Sequence, residues 1–345
     1  MSETSLPQSD SAMLPERTPV RIVRSVLGYS LLTALMIVTP MLVFVPAALL
    51  HCAIRNGRRA AWAALVLGVA LASLYVAAVP AATPDASRLA WAFVAWVVFA
   101  IAIPTMAALP MIERGEKFGR VLVFLLVASA IGMLVLETAA HTLLDYSPYE
   151  AQVAQAETSN AEVVKFYRDA GMPADMITFA QKWAGYSTFV LPGSILIMTS
   201  LVFILSLLML GRLKAWRERM AQRATPDMTG VYLFRNLSLP DWMLFAFILG
   251  GMTPLAHGML QKVAANVLAV TAFLYILQGL AIFRFLLVAM GAGFAGTMLG
   301  WLLLLFLTIT GIGPLLLGVA GLFDPFFDFR HFKKRKDDSN ESHSD

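Results

Sequence analysis

Glu137 and His141 stand four residues apart, so in a helix they share one face. A carboxylate beside an imidazole can move a proton or grip one end of a polar ligand, but two ligands at this spacing are too few to make a metal site. A second polar group follows later, with His257 and then Gln261, Lys262 and Asn266. Both groups sit at the ends of long apolar runs, where ionisable side chains are costly unless they face protein or water. The sharper reading joins Glu137, His141, His257, Lys262 and Asn266 into one polar pocket for a small solute. The plainer reading has them pairing among themselves or resting among wet headgroups. Gln278 and Arg284 lie deeper in the following run, and Arg284 is near enough to its end to snorkel.

No nucleophile with an attendant base, no phosphate loop and no metal motif is legible, so neither enzymatic activity nor a cofactor is expected. Gly291, Gly293 and Gly296 match the spacing of a dinucleotide fingerprint, but no strand precedes them. Gly296 and Gly300 fit a close helix–helix contact better. Cys52 is the only cysteine, which excludes an internal disulfide and a thiolate cluster.

The elements that must position these residues are membrane helices. The 345 residues are 59% apolar and 14% charged, against roughly 25% charged in a soluble domain. The composition therefore predicts an all-α polytopic bundle of about eight to ten membrane helices. Runs of spanning length are 59–79, 89–109, 121–143, 189–210, 242–258 and 263–287. Two others, 26–54 and 294–322, are too long for one crossing. Pro40 and Pro46 interrupt the first, and Gly311, Gly313 and Pro314 the last.

Basic residues flank both ends of the first overlong run, with Arg17, Arg21 and Arg24 before it and Arg55, Arg58 and Arg59 after it, and Arg330, Lys333, Lys334, Arg335 and Lys336 follow the last. Arg114, Lys117 and Arg120, with Arg212, Lys214, Arg217, Arg219 and Arg223, mark two further cytoplasmic loops. All these demands agree if each overlong run is a hairpin or a re-entrant pair, with both termini cytoplasmic. A single tilted helix at each end would strand one basic cluster outside. The net charge of +4 is thus spent on topology and gives no nucleic-acid footprint.

The domain plan is a polar tail over 1–20, one transmembrane domain over 21–329 and a polar tail over 330–345. The connection 144–187 falls outside and the basic connection 211–239 inside. Within the outer connection, Asn160 can cap a helix that Gly171 ends, and Pro173 opens a second. Met176, Phe179, Ala180 and Trp183 then share one face, with Trp183 and Tyr186 at headgroup depth. This pair of helices serves either as a belt on the membrane surface or as a lid over the pocket. Inside, 212–223 continues the preceding span as a basic helix bearing Trp216, anchored to anionic headgroups. Gly250, Gly251 and Pro254 loosen the run 242–258 near its middle.

The C-terminal third resembles the YybS-like family of bacterial multi-pass membrane proteins. The likeness rests on Asn266, Tyr275, Gln278 and Gly279 within 266–282, and on the closing Gly318, Gly321, Asp324, Asp328, Phe329 and Arg330. It extends to Leu239, Pro240, Asp241 and Trp242 at the entry to a span, and to Leu191, Pro192 and Gly193 after an outer helical segment. Where the family has a Pro-x-Pro turn, Pro46 stands alone. The resemblance implies a fold distantly similar to the substrate-binding membrane subunits of energy-coupling-factor vitamin transporters, in a bacterial inner membrane. It carries over no catalytic or substrate residue. The expected function is therefore binding of a small solute from the outer side, with membrane lipid around it and energising transport subunits as partners. The rival is a non-transporting scaffold or regulator that works through other membrane proteins.

Overall fold

The computed structural model describes residues 19–79, 84–221 and 232–327, and among them there is no strand. Residues 1–18 with Arg17, Arg223, Asp328 to Arg330 and the rest of the C-terminal tail with the basic residues 333–336 lie outside the described residues.

Helix α1 (Pro19–Val38) leads through a 3-10 turn, Pro40–Phe44, into α2 (Val45–Asn56). Pro40 cannot donate to the α1 ladder, so the helix stops, and the Thr39 hydroxyl takes over by accepting from Met41 N. Asn56 then donates to Ser25 Oγ at 2.8 Å, and Tyr29 Oη lies 3.1 Å from His51 Nδ1. One index rises as the other falls, so α1 and α2 are antiparallel and the run 26–54 is a hairpin. Gly57 follows at φ 89°, a conformation open to glycine, and turns the chain into α3 (Arg58–Ala78).

Helices α4 (Pro84–Trp96) and α5 (Ile103–Arg114) form one long rod, joined by a π-helical segment at Val97–Ala102. Val97, Ala100, Ile101 and Ala102 are buried there, and the widened turn admits Pro104, which has no N–H to give. Arg58 pairs with Glu113, so the start of α3 adjoins the end of α5. Helix α6 (Phe118–Leu144) returns, and its Phe118 ring packs on Tyr232. One end of the bundle therefore gathers Arg24, Arg55, Arg58, Arg114 and Lys117, and it is called the basic end below. Leu49, Ile101, Leu109, Phe118, Leu122, Phe203 and Leu207 are fully buried between α2, α5, α6 and the later α9. Lipid is as apolar as these residues, so shape fit and not water exclusion holds them together.

At the opposite end α7 (Pro148–Asp169) and α8 (Ala174–Phe189) make an antiparallel helical hairpin. Helix α7 begins twelve residues before Asn160. Ser147 is its cap, with Oγ accepting from Glu150 N at 3.0 Å and proline next in line. Asn160 sits mid-helix instead and donates to Ser187 Oγ at 2.9 Å and Ala184 O at 3.3 Å on α8. Gly171 ends α7 at φ 67°, as expected.

Helix α9 (Leu191–Arg212) runs back to the basic end and stops at Leu213, whose backbone is extended. The short α10 (Lys214–Ala221) follows, with Trp216 fully buried and stacked on Tyr232. The basic helix is therefore not a continuation of the span, and Trp216 anchors to protein and not to headgroups.

The run 242–258 does not form a full crossing either. Helix α11 (Met243–Gly251) is nine residues, about 14 Å long. Gly250, Gly251 and Pro254 end it in a 3-10 turn at Thr253–Leu255. Helix α12 (Gly258–Ala289) is 32 residues long, and α13 (Phe294–Ile309) and α14 (Ile312–Phe327) meet at a 109° bend. That bend rules out one tilted helix over 294–322. Helix α14 packs antiparallel on α12 at near-backbone contact. A Cβ at Gly279 would lie 1.9 Å from Leu317 O, and one at Gly321 would lie 2.0 Å from Tyr275 O. Five described helices are long and apolar enough to cross a membrane, six if the bent pair counts as one. That is fewer than the eight to ten expected, because α11 is too short to cross and the runs 26–54 and 294–322 are each broken into two shorter helices.

Candidate functional site

The five polar residues singled out at the ends of α6 and α12 lie at the end of the bundle away from the basic end. Glu137, on α6, accepts from Ser147 Oγ through one carboxylate oxygen and from Tyr149 N at 3.0 Å through the other. Its charge thus sits on the first turn of α7, where exposed N–H groups and the helix dipole favour an anion. Asn266, on α12, accepts from Gly193 N at 2.5 Å and donates to Phe189 O at 3.2 Å and Lys262 O at 2.7 Å. Phe189 is the last residue of α8 and Gly193 lies in the first turn of α9. Each foot of the α7–α8 hairpin is therefore held by one of the two residues: Glu137 holds the α7 foot and Asn266 the α8 foot.

The other three stand apart. His141 is exposed one turn beyond Glu137. His257 occupies the cap position of α12, yet its side chain caps nothing and it is exposed. Lys262 is exposed, and its carbonyl serves Asn266. Helix α9 packs on both α6 and α12. Helices α7 and α8 pack chiefly on each other, and α7 also meets α6. A groove of about 460 Å³ lies within the hairpin itself, lined by Glu157, Asn160, Lys165, Arg168, Gln181 and Thr188 among others.

A second polar cluster, nearer the basic end, joins fragments that are far apart in sequence. Gln278 Oε1 accepts from Leu239 N at 3.0 Å, and its Nε2 donates to Asp324 Oδ2 at 2.9 Å. Gln278 and Asp324 are buried. One side chain thus clamps the entry to α11 and the C-terminal α14 onto α12. Gly279 and Gly321, which let α14 approach, flank the same clamp. Sequence reading placed Gln278 at depth without a partner; the signal available was that Leu239, Gln278, Gly279, Gly321 and Asp324 all fall in the segments that carry the family resemblance.

Beside it, Phe118, Trp216 and Tyr232 form a buried aromatic plug at the basic end, with Trp216 stacked on Tyr232 and Phe118 edge-on to it. Burial, with Glu116 nearby adding to it, holds the Tyr232 phenol well above the ordinary tyrosine value.

A family model described as predicted membrane protein (DUF2232) matches residues 25–325. No curated protein and no solved structure matches the chain.

Proposed function

We propose that this chain, which belongs to the DUF2232 family of predicted membrane proteins, works as a membrane-embedded scaffold that docks another membrane protein against its α13–α14 elbow. The observation that supports this is the state of α13. Its sixteen residues are almost wholly apolar and none is buried, and Thr310 and Gly311 at the elbow are exposed too. Each arm of the elbow is about 24 Å long, short of the roughly 30 Å hydrocarbon layer. Helix α13 packs only lightly on α12 and α14, so among the described residues its apolar face is left to lipid or to a second membrane protein. A benzophenone side chain in place of Phe306, irradiated in cells, tests the reading. A protein adduct is the expected result, and adducts with lipid alone would sink it.

A second reading, a solute-binding subunit of an energised transport system, draws on the resemblance to the YybS-like family. What favours it is that Glu137, His141, His257, Lys262 and Asn266 all occupy the end of the bundle away from the basic end. Thermal shift of detergent-purified protein across a metabolite panel tests it. A hit lost in both Glu137→Ala and His257→Ala supports it, and a flat panel counts against it.

Placement in a bacterial inner membrane, with the basic end and both termini cytoplasmic, belongs to the same proposal and follows from the charge pattern. For the C-terminus, the basic tail and the direction of α14, which heads away from the basic end, make opposite demands.

A further inference from the structure

The two helices of the hairpin meet along Asn160, Val164 and Tyr167 on α7 and Ala180, Ala184 and Ser187 on α8, all partly buried. The residue just before most of these contact positions is large and apolar: Val163 and Phe166 on α7, Phe179, Trp183 and Tyr186 on α8. They are 50 to 68% exposed, and Phe179 and Trp183 stack on one another. The residue just after each contact is small or polar, including Lys165, Arg168, Gln181 and Thr188. In antiparallel helices the same rotational step from the contact line leads to the same side of the pair. The groove bears this out, since Lys165 and Arg168 from α7 line it together with Gln181 and Thr188 from α8. The apolar residues therefore form one continuous face on the reverse of the pair.

We propose that this reverse face lies in the lipid surface at the far end of the bundle, burying Val163, Phe166, Phe179, Trp183 and Tyr186 at the headgroup boundary and leaving the charged groove in water. Continuity selects lipid as the occupant. Both feet are fixed to membrane-crossing helices, through Glu137 on α6 and through Asn266 on α12, which binds the start of α9. The hairpin thus leaves from the bilayer boundary and comes back to it. Tryptophan and tyrosine are the side chains that favour that layer. The inference is independent of what docks at α13.

Site-directed spin labelling on the full chain in phosphatidylcholine–phosphatidylglycerol vesicles tests it. In a Cys52→Ala background, labels are placed at F179C and F166C on the apolar face and at Q181C on the groove face. The expected result is that the labels on F179C and F166C collide with oxygen more often than with a water-soluble nickel complex, and that the label on Q181C shows the reverse. Nickel access equal on both faces would overturn the proposal, because the hairpin would then stand in water. Immobile labels on F179C and F166C, shielded from both reagents, would also overturn it, because a protein would then be the occupant. The two apolar-face variants lie on different helices, so a folding defect in one leaves the other to decide.

Discussion

Tyr149 donates its backbone N–H to Glu137 at 3.0 Å, so the first turn of α7 rests on a carboxylate of α6. The bond joins the membrane bundle to the hairpin at one point, and a charge-assisted cap of this kind is worth roughly 1–2 kcal/mol. Glu137→Ala is expected to speed amide exchange over the first turns of α7 and leave the α9 foot unchanged. Glu137→Gln keeps an acceptor for Tyr149 and should lose about half as much protection. Hydrogen exchange by mass spectrometry reads both, and uniform loss across α6 would show the bond to be of no local importance.

The other foot rests on Asn266. Asn266→Ala leaves Gly193 N–H and Phe189 C=O without their side-chain partner, a cost of roughly 1–3 kcal/mol. Asn266→Asp keeps the acceptor for Gly193 and loses the donor to Phe189, so its melting temperature should fall between wild type and alanine. Equal melting of all three proteins would show that solvent satisfies this joint.

The two feet also show how far sequence reasoning reached. Glu137 and Asn266 stood out because a polar group in an apolar run has few neutral explanations. Their partners are the start of α7 and the α8–α9 joint. The first was there to be read and was missed: Ser147, Pro148 and Glu150 have the spacing of a capping box, but Asn160 precedes an apolar stretch in the same way and draws the cap to itself. The hairpin of α1 and α2 was legible because flanking arginines report topology locally. The shortness of α11 was half-visible in Gly250, Gly251 and Pro254. The clamp of Gln278 on Leu239 and Asp324 was not, because a contact across 39 and 46 residues exists only once α12 and α14 are packed.

At that packing contact, added volume should cost more than lost polarity. A Cβ at Gly279 would meet a backbone oxygen 1.9 Å away, and backbone cannot rotate aside as a side chain can. Gly279→Ala and Gly321→Ala are expected to displace α14, a penalty at or above the roughly 1–3 kcal/mol typical of overpacking. Gln278→Leu removes two hydrogen bonds from the same site yet keeps its bulk. It should retain α14 better than either glycine variant. Limited proteolysis near residue 327 ranks them, and a Gln278 variant cut faster than Gly279→Ala would reverse the argument.

The aromatic plug makes a prediction about pH. Burial disfavours the phenolate, so Tyr232 binds its proton more tightly folded than unfolded. Between the unfolded value of about 10 and the higher folded one, the unfolded chain holds fewer protons, so stability falls as pH rises. Below about 10 the contribution is complete. Absorbance at 295 nm should show Tyr232 ionising with unfolding at strongly alkaline pH, later than an exposed tyrosine, and Tyr232→Phe should abolish that late step. A late step that persists in Tyr232→Phe would assign it to another of the eight tyrosines.

The last prediction concerns the C-terminus, where charge and direction disagree. Five basic residues at 330–336 favour the cytoplasm, since moving such a cluster across a bilayer is costly. Helix α14 nevertheless runs antiparallel to α12, from the basic end toward the end that holds Asn266, as the approach of Leu317 to Gly279 and of Tyr275 to Gly321 requires. Its sixteen residues reach about 24 Å, less than a full crossing, so the tail has not reached the far surface at Phe327. The charge is therefore expected to prevail and to keep the C-terminus on the side of the basic end. A fluorescent protein fused after residue 345 should then mature in the cytoplasm, while an alkaline phosphatase fused there should stay inactive. The opposite pair of results would put the basic tail on the other side and let the direction of α14 decide.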